Sequence, residues 1–163
     1  MSILVQPIIR RHLEAVKKGI AVQMAAMGRN ASGRSVASLT VYTDDKGGYL
    51  EGLSSFLAME RGRKGGKVPY NFTEIIAEWI KDKGLPYESL GSTPERGLRK
   101  LAGAIAFSIM KHGTRLHRDN GYNDIYTSVL EKEMTALASE ISSVFELEID
   151  TINGMDFSGN NTR

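Results

Sequence analysis

The sequence predicts an α+β protein in which several helices, including long ones at the N- and C-terminal ends, pack on a small antiparallel sheet built from a hairpin. Three observations carry this. Apolar residues recur at spacings of three and four near both ends of the chain, two β-prone segments flank an Asp- and Gly-rich turn, and Pro and Gly punctuate two further amphipathic stretches.

From Ile3 to Met27, the residues Ile9, Leu13, Val16, Ile20, Met24 and Met27 form one helical stripe, with Gly28 as its stop. Ser35–Tyr42 has Val36, Leu39 and Val41 as apolar points and reads as a strand. Asp44–Gly48 (DDKGG) is a turn whose glycines supply positive φ, and a strand-like pattern resumes at Tyr49 through YLEGLSSFLAM, completing the hairpin. Arg61–Tyr70 carries four basic residues, three glycines and a proline without apolar periodicity, and is expected to be an exposed loop.

Asn71 followed by Glu74 reads as a capping box opening the helix FTEIIAEWIKDK, with Ile75, Ile76, Trp79 and Ile80 on its buried side and Gly84 and Pro86 beyond its end. Thr93 and Pro94 open the next helix, whose stripe is Leu98, Leu101, Ile105 and Ile109 and whose stop is Gly113. After a polar loop to Asn123, the residues Tyr126, Leu130, Met134, Leu137, Ile141 and Val144 define a long helix over about 122–150. Its stripe packs either on the domain's own sheet or on a neighbouring copy. Residues 1–150 therefore read as a single α+β domain and 151–163, rich in Asn, Gly and Ser, as a flexible tail.

The 163-residue length suits one domain. With no cysteine, a disulfide framework and any Cys-ligated metal are excluded, which fits folding in a reducing cytoplasm. Pro7, Arg10, Arg11 and Glu14 interrupt the apolar start too early for a signal sequence, and no segment approaches the roughly 18 apolar residues of a membrane span. A soluble protein with no membrane partner is expected. Net charge is +2 but unevenly spread: residues 1–59 carry 7 basic and 4 acidic side chains, 60–118 carry 12 and 6, and 119–163 carry 2 and 9. That polarity serves either a nucleic-acid contact or the meeting of one copy's basic face with the acidic face of the next.

No motif specifies catalysis. The Gly-Lys pair Gly66–Lys67 is followed by Val68, where a phosphate-binding Walker motif needs Ser or Thr. His112 and His117 lack metal-ligand spacing, and His12 reads as a solvated residue on a charged helix face. None of Ser32, Ser35 and Ser38 sits in a nucleophile elbow. Asp44 with Asp45 falls in a turn, and Glu131 with Glu133 splays over different helix faces. The expectation is a non-enzymatic protein with no cofactor, no metal and no catalytic residues. Its basic loop, through Arg61, Arg63, Lys64 and Lys67, contacts either a protein partner or a phosphate backbone.

The segment ASGRSVASLTV, Ala31–Val41, is similar to the "TGxLxxSI" motif before the hairpin in neck and tail-completion (head-tail connector) proteins of tailed bacteriophages, with Ser32 where that motif has threonine. FLAMERGRKGGKVP resembles the same family's strand ending in Glu-x-Gly before a loop. The matching positions are Gly33, Ser38, Leu39, Glu60 and Gly62, and Asn71–Lys111 resembles a helical insertion of longer members. The resemblance covers about the first half of the chain. It implies a structural virion protein in the neck, made in the host cytoplasm, that forms a ring of its own copies around the DNA channel, a twelvefold ring favoured over a sixfold one. Portal, adaptor or tail proteins are the implied partners, with non-specific contact to channel DNA. A sequence-independent nucleic-acid-binding module is the alternative.

Overall fold

A computed structural model describes residues 5–29 and 32–156. The elements follow in the order α1 (Val5–Ala26), α2 (Arg34–Ala37), β1 (Thr40–Asp44), β2 (Gly47–Glu51), α3 (Ser55–Arg61), α4 (Phe72–Asp82), a 3-10 turn (Glu88–Leu90), α5 (Pro94–His112), α6 (Arg115–Arg118) and α7 (Thr127–Asp156). The α+β class is as the sequence predicts, with long helices near both ends and, among the described residues, a single two-stranded antiparallel sheet.

The stripe on α1 makes the main core. Val5, Ile9, Leu13, Val16, Ile20 and Met24 are all buried. The upper half of the stripe meets Leu39, Phe56 and Ile125, while Val5, Ile9 and Leu13 meet Met134, Leu137 and Ile141 of α7. These pairings run α7 antiparallel to α1, and the crossing is close enough that a Cβ on Gly19 would lie 2.5 Å from Val129. α7 thus packs in cis as far as Ile141.

The hairpin pairs Thr40 with Glu51 through Asp44 with Gly47. Val41 and Leu50, opposite each other, turn toward α1, and the next pair, Tyr42 and Tyr49, stacks on the outer face at 5.1 Å. Asp44 Oδ1 accepts from the N–H groups of Lys46 (2.8 Å) and Gly47 (3.0 Å), which closes the turn. Only Gly47 of the two turn glycines has positive φ. Gly48 is needed for a different reason, since a Cβ there would come within 2.8 Å of Ile9 and Leu13 and push the sheet off α1.

Both strands are shorter than the sequence suggests. Residues 34–37 form a helical turn, opened by Gly33 at φ 75° and closed where the Ser38 hydroxyl donates to the Ser35 carbonyl at 2.7 Å, so the first strand starts at Thr40. After Gly52, residues 55–59 of the expected strand, together with Glu60 and Arg61, form the helix α3, which puts Phe56 and Glu60 on one buried face at helical spacing.

A second cluster joins α4 to α5 through Ile76, Ile80, Ala102 and Ala106, the alanines letting the two helices approach. Thr93 caps α5 as expected, its hydroxyl accepting from Arg96 N–H at 3.3 Å. Asn71 does not cap α4 with its side chain. A turn already precedes the helix, with Phe72 N–H donating to the Pro69 carbonyl. Ile75 and Trp79 are not on the buried side either: at 43% and 40% exposed they border an open depression of about 550 Å³ with Arg29 and Arg34. Arg34 bridges the two clusters by pairing with Glu78 and Asp82, both at 3.0 Å.

The polar loop after Gly113 contains α6, and the last helix starts at Thr127 and continues to Asp156, so residues 151–156 extend it where a tail is expected. The rest of that tail lies outside the described residues, as does Ala31 of the motif segment.

Replacing the fully buried Ile80 by alanine is expected to lower the unfolding free energy by about 2–5 kcal/mol, whereas Ile75→Ala should cost well under half of that. Denaturant titration of the two variants reads the difference directly.

Candidate assembly interface

The basic loop begins at Gly62, whose backbone stands at φ 76° and so close to α6 that a Cβ would lie 2.4 Å from His117 N. Beyond it the loop is tied to the α5–α6 connection. Arg63 N–H donates to Thr114 Oγ1 (2.8 Å), Thr114 N–H to the Arg63 carbonyl (2.8 Å), and Gly66 N–H to the Met110 carbonyl (2.7 Å). Gly113, at φ 76°, leaves no room for a Cβ beside the Arg63 carbonyl.

Three hydrogen bonds, two of them between main-chain groups, thus hold the loop on the end of α5 and the α5–α6 connection. Arg63 is half-buried, its guanidinium 5.3 Å from the centre of the Phe72 ring and bonded to the Lys67 carbonyl. Arg61, Lys64 and Lys67 remain exposed. The tether sets them beside Lys111, Arg115 and Arg118, also exposed, so the basic surface draws on two segments that the sequence separates by more than forty residues. Asp119 offsets part of it by pairing with Arg115 at 3.2 Å.

Glu60, fully buried at the end of α3, organises the opposite side. Its carboxylate accepts from the Tyr122 hydroxyl (2.7 Å), the Tyr126 N–H (3.1 Å) and the Thr127 hydroxyl. Its carbonyl accepts from Asn123 N–H at 2.8 Å, and Asn123 Nδ2 donates to the Met59 carbonyl at 2.9 Å. All three donors to the carboxylate are neutral, and two of them, the Tyr126 N–H and the Thr127 hydroxyl, sit at the N-terminus of α7. Glu60 lies on a helix, not at the end of a strand. The other motif positions are also built into the fold: Gly33 opens α2, the Ser38 hydroxyl accepts from Leu53 N–H (3.2 Å) across the hairpin's base, Leu39 is core, and Gly62 allows the loop tether.

His12 is not solvated. Only 8% exposed, it lies between α1 and α7 with Nδ1 2.9 Å from Glu133 and Nε2 3.0 Å from Glu140, while Arg11 also pairs with Glu140. Hydrogen bonds to Glu140 and then Glu133 raise the His12 pKa above its ordinary 6.5, despite burial. Arg11 first, and then His12, hold Glu140 below its ordinary 4.5. A residue-by-residue search for ligand pairs overlooks this triad because the carboxylates stand seven apart on α7 and more than a hundred residues from the histidine.

Past Ile141, α7 continues beyond the described start of α1. At about 1.5 Å per residue, Ser142–Asp156 adds roughly 22 Å of helix. This stretch exposes Phe145, Leu147, Ile149 and Ile152 at 44–67%. Among the described residues, no group of His, Asp and Glu is placed to hold a metal, and no helix is long and apolar enough to cross a membrane.

No family model, curated protein or solved structure matches the chain.

Two consequences can be measured. Glu60→Ala takes the acceptor from two half-buried donors, the Tyr126 N–H and the Thr127 hydroxyl, and from the hydroxyl of the exposed Tyr122, and is expected to destabilise the fold by about 3 kcal/mol, read by denaturant titration. The raised His12 pKa means that its contribution is complete below about pH 6.5 and lost as pH rises through the folded-state value, whereas the Glu140 contribution is present above about 4.5 and lost as pH falls. The melting temperature should therefore fall as pH rises above about 6.5 and through the raised His12 pKa, and His12→Asn should remove most of that slope. An unchanged slope in the variant would assign it to another group.

Proposed function

We propose that the protein is a non-enzymatic assembly subunit, a structural component of the head-tail connector that joins portal to tail around the DNA channel of a tailed bacteriophage. The observation that carries this reading is the last part of α7, about four helical turns past the described start of α1, which exposes the large apolar side chains Phe145, Leu147, Ile149 and Ile152. Such a surface is costly in a protein that works alone and useful in one that is covered by a neighbour. The motif residues Gly33, Ser38, Leu39, Glu60 and Gly62 support it further, since each does a backbone or packing job in the hairpin and its flanks. In this reading the partners are copies of the chain in a ring, with portal, adaptor or tail proteins above and below.

A second reading, sequence-independent nucleic-acid binding, is favoured by the merging of Arg61, Lys64 and Lys67 with Lys111, Arg115 and Arg118 into one basic surface. The two are compatible if that surface lines a DNA channel.

Mass spectrometry of purified virions of the encoding phage, followed by cryo-electron microscopy, tests the first reading. The expected result is a ring of this chain between portal and tail; absence from intact particles would end it. For the second, duplex affinity should fall with salt with a logarithmic slope of about −0.9 per phosphate contacted, and Lys64→Glu with Lys67→Glu should reduce that slope by about two contacts. Binding that ignores salt would remove the DNA role.

A further inference from the structure

We infer that the projecting end of α7 docks on the apolar groove between the Val68–Tyr70 segment and α5 of a second copy of this chain. The inference rests on the assembly-subunit reading and supplies its two contact surfaces.

The donor is defined by what α1 leaves uncovered. Ile141 is the last α7 residue packed on the Val5, Ile9 and Leu13 cluster, yet the apolar spacing continues through Phe145, Ile149 and Ile152. These side chains fall on one side of the helix and are 44%, 56% and 63% exposed. The same stretch carries the exposed Glu146 and Asp150, and Ser142–Asp156 contains neither lysine nor arginine. Its partner should thus be an apolar depression rimmed by cations.

A surface of that description lies beside α5. Val68, Pro69, Tyr70, Phe72, Phe107 and Met110 line a depression of about 220 Å³. Tyr70 is completely exposed, and Phe107 and Met110 are 58% and 40% exposed. The rim is basic: Arg63 lies over the Phe72 ring, Lys111 over the Phe107 ring at 5.9 Å, and Lys67 immediately precedes Val68. The volume is below the roughly 300–1,000 Å³ of small-molecule sites and suits a protruding side chain as an anchor. Glu74 and Glu95 border the adjoining depression, which directs an acidic helix toward the Lys67 and Lys111 end. The larger apolar groove beside the hairpin, lined by Leu39, Leu53, Phe56 and Leu130, has no charged side chain in its lining to match the acidic residues.

Donor and acceptor are different surfaces, so every copy gives one contact and takes one. Such a heterologous contact propagates head to tail and closes into a ring when its rotation permits.

The cysteine-free chain allows a clean test. One full-length preparation carries Ile152→Cys, which keeps Phe145 and Ile149 as anchors; a second carries Thr73→Cys in the groove lining; a third carries Leu53→Cys in the hairpin groove. Mixed pairs are treated with a short bis-maleimide. The expected result is that Ile152→Cys links to Thr73→Cys at least about tenfold faster than to itself or to Leu53→Cys, and that adding Phe145→Asp to the donor or about 1 M salt slows the reaction by a similar factor. Self-linking of Ile152→Cys at an equal rate would overturn the proposal in favour of twofold pairing of α7. Preferential linking to Leu53→Cys would move the contact to the hairpin, and no mixed product would remove it. A ring found in virions without the Ile152–Thr73 link would overturn this docking and leave the connector reading standing; a link formed by a chain absent from virions would do the reverse.

Discussion

The buried carboxylate of Glu60 is the constraint on which the arrangement of the chain depends. It closes α3, and its three donors all belong to the segment that leads into α7. Because the Tyr126 N–H and Thr127 hydroxyl are tied to it, the first turn of α7 has a fixed origin. The 30-residue helix then runs back along α1 in one register, in which Val129 sits over Gly19, Glu133 and Glu140 clasp His12, and Ile141 meets the start of the Val5–Leu13 stripe. Where α7 begins determines where it passes the described start of α1, and so how much of it projects. A buried acid is expensive without compensation, and its role here is one of register more than of net stability.

Glycines set the second surface by allowing backbones to touch. Gly62 and Gly113 both take positive φ and both lie where a side chain would strike the opposing main chain. Their contact converts a basic segment that composition alone would leave loose into a fixed shelf on α5 and α6, and leaves Arg63 as a brace while Arg61, Lys64 and Lys67 face outward. The acidic α7 end and this basic shelf each carry part of the charge asymmetry along the sequence, although the net charge is close to neutral.

Long periodic elements were legible in the sequence because burial of an entire stripe leaves many residues in phase. That holds for α1, for the core-facing part of α7, and for the hairpin around Asp44 and Gly47. Arg34–Ala37 and Ser55–Arg61 were not legible, since four to seven residues are too short to display a helical period. Glu60 could be singled out by its motif, but its donors lie 62 to 67 residues along the chain, and the partners of His12 lie 121 and 128 residues away. Such pairings are decided by tertiary packing. Trp79 and Ile75 show the converse: their helical spacing suggests burial, yet α5 covers only the Ile76 and Ile80 side of α4.

The central claim is that the fold presents two unlike surfaces for head-to-tail self-association. Sedimentation velocity on the full-length chain, from about 1 µM to several hundred µM at low and high salt, addresses it most directly. The account predicts species growing beyond a dimer with concentration and receding as salt screens the acidic and basic surfaces. A chain that stays monomeric throughout, or that stops at a salt-insensitive dimer, would contradict it.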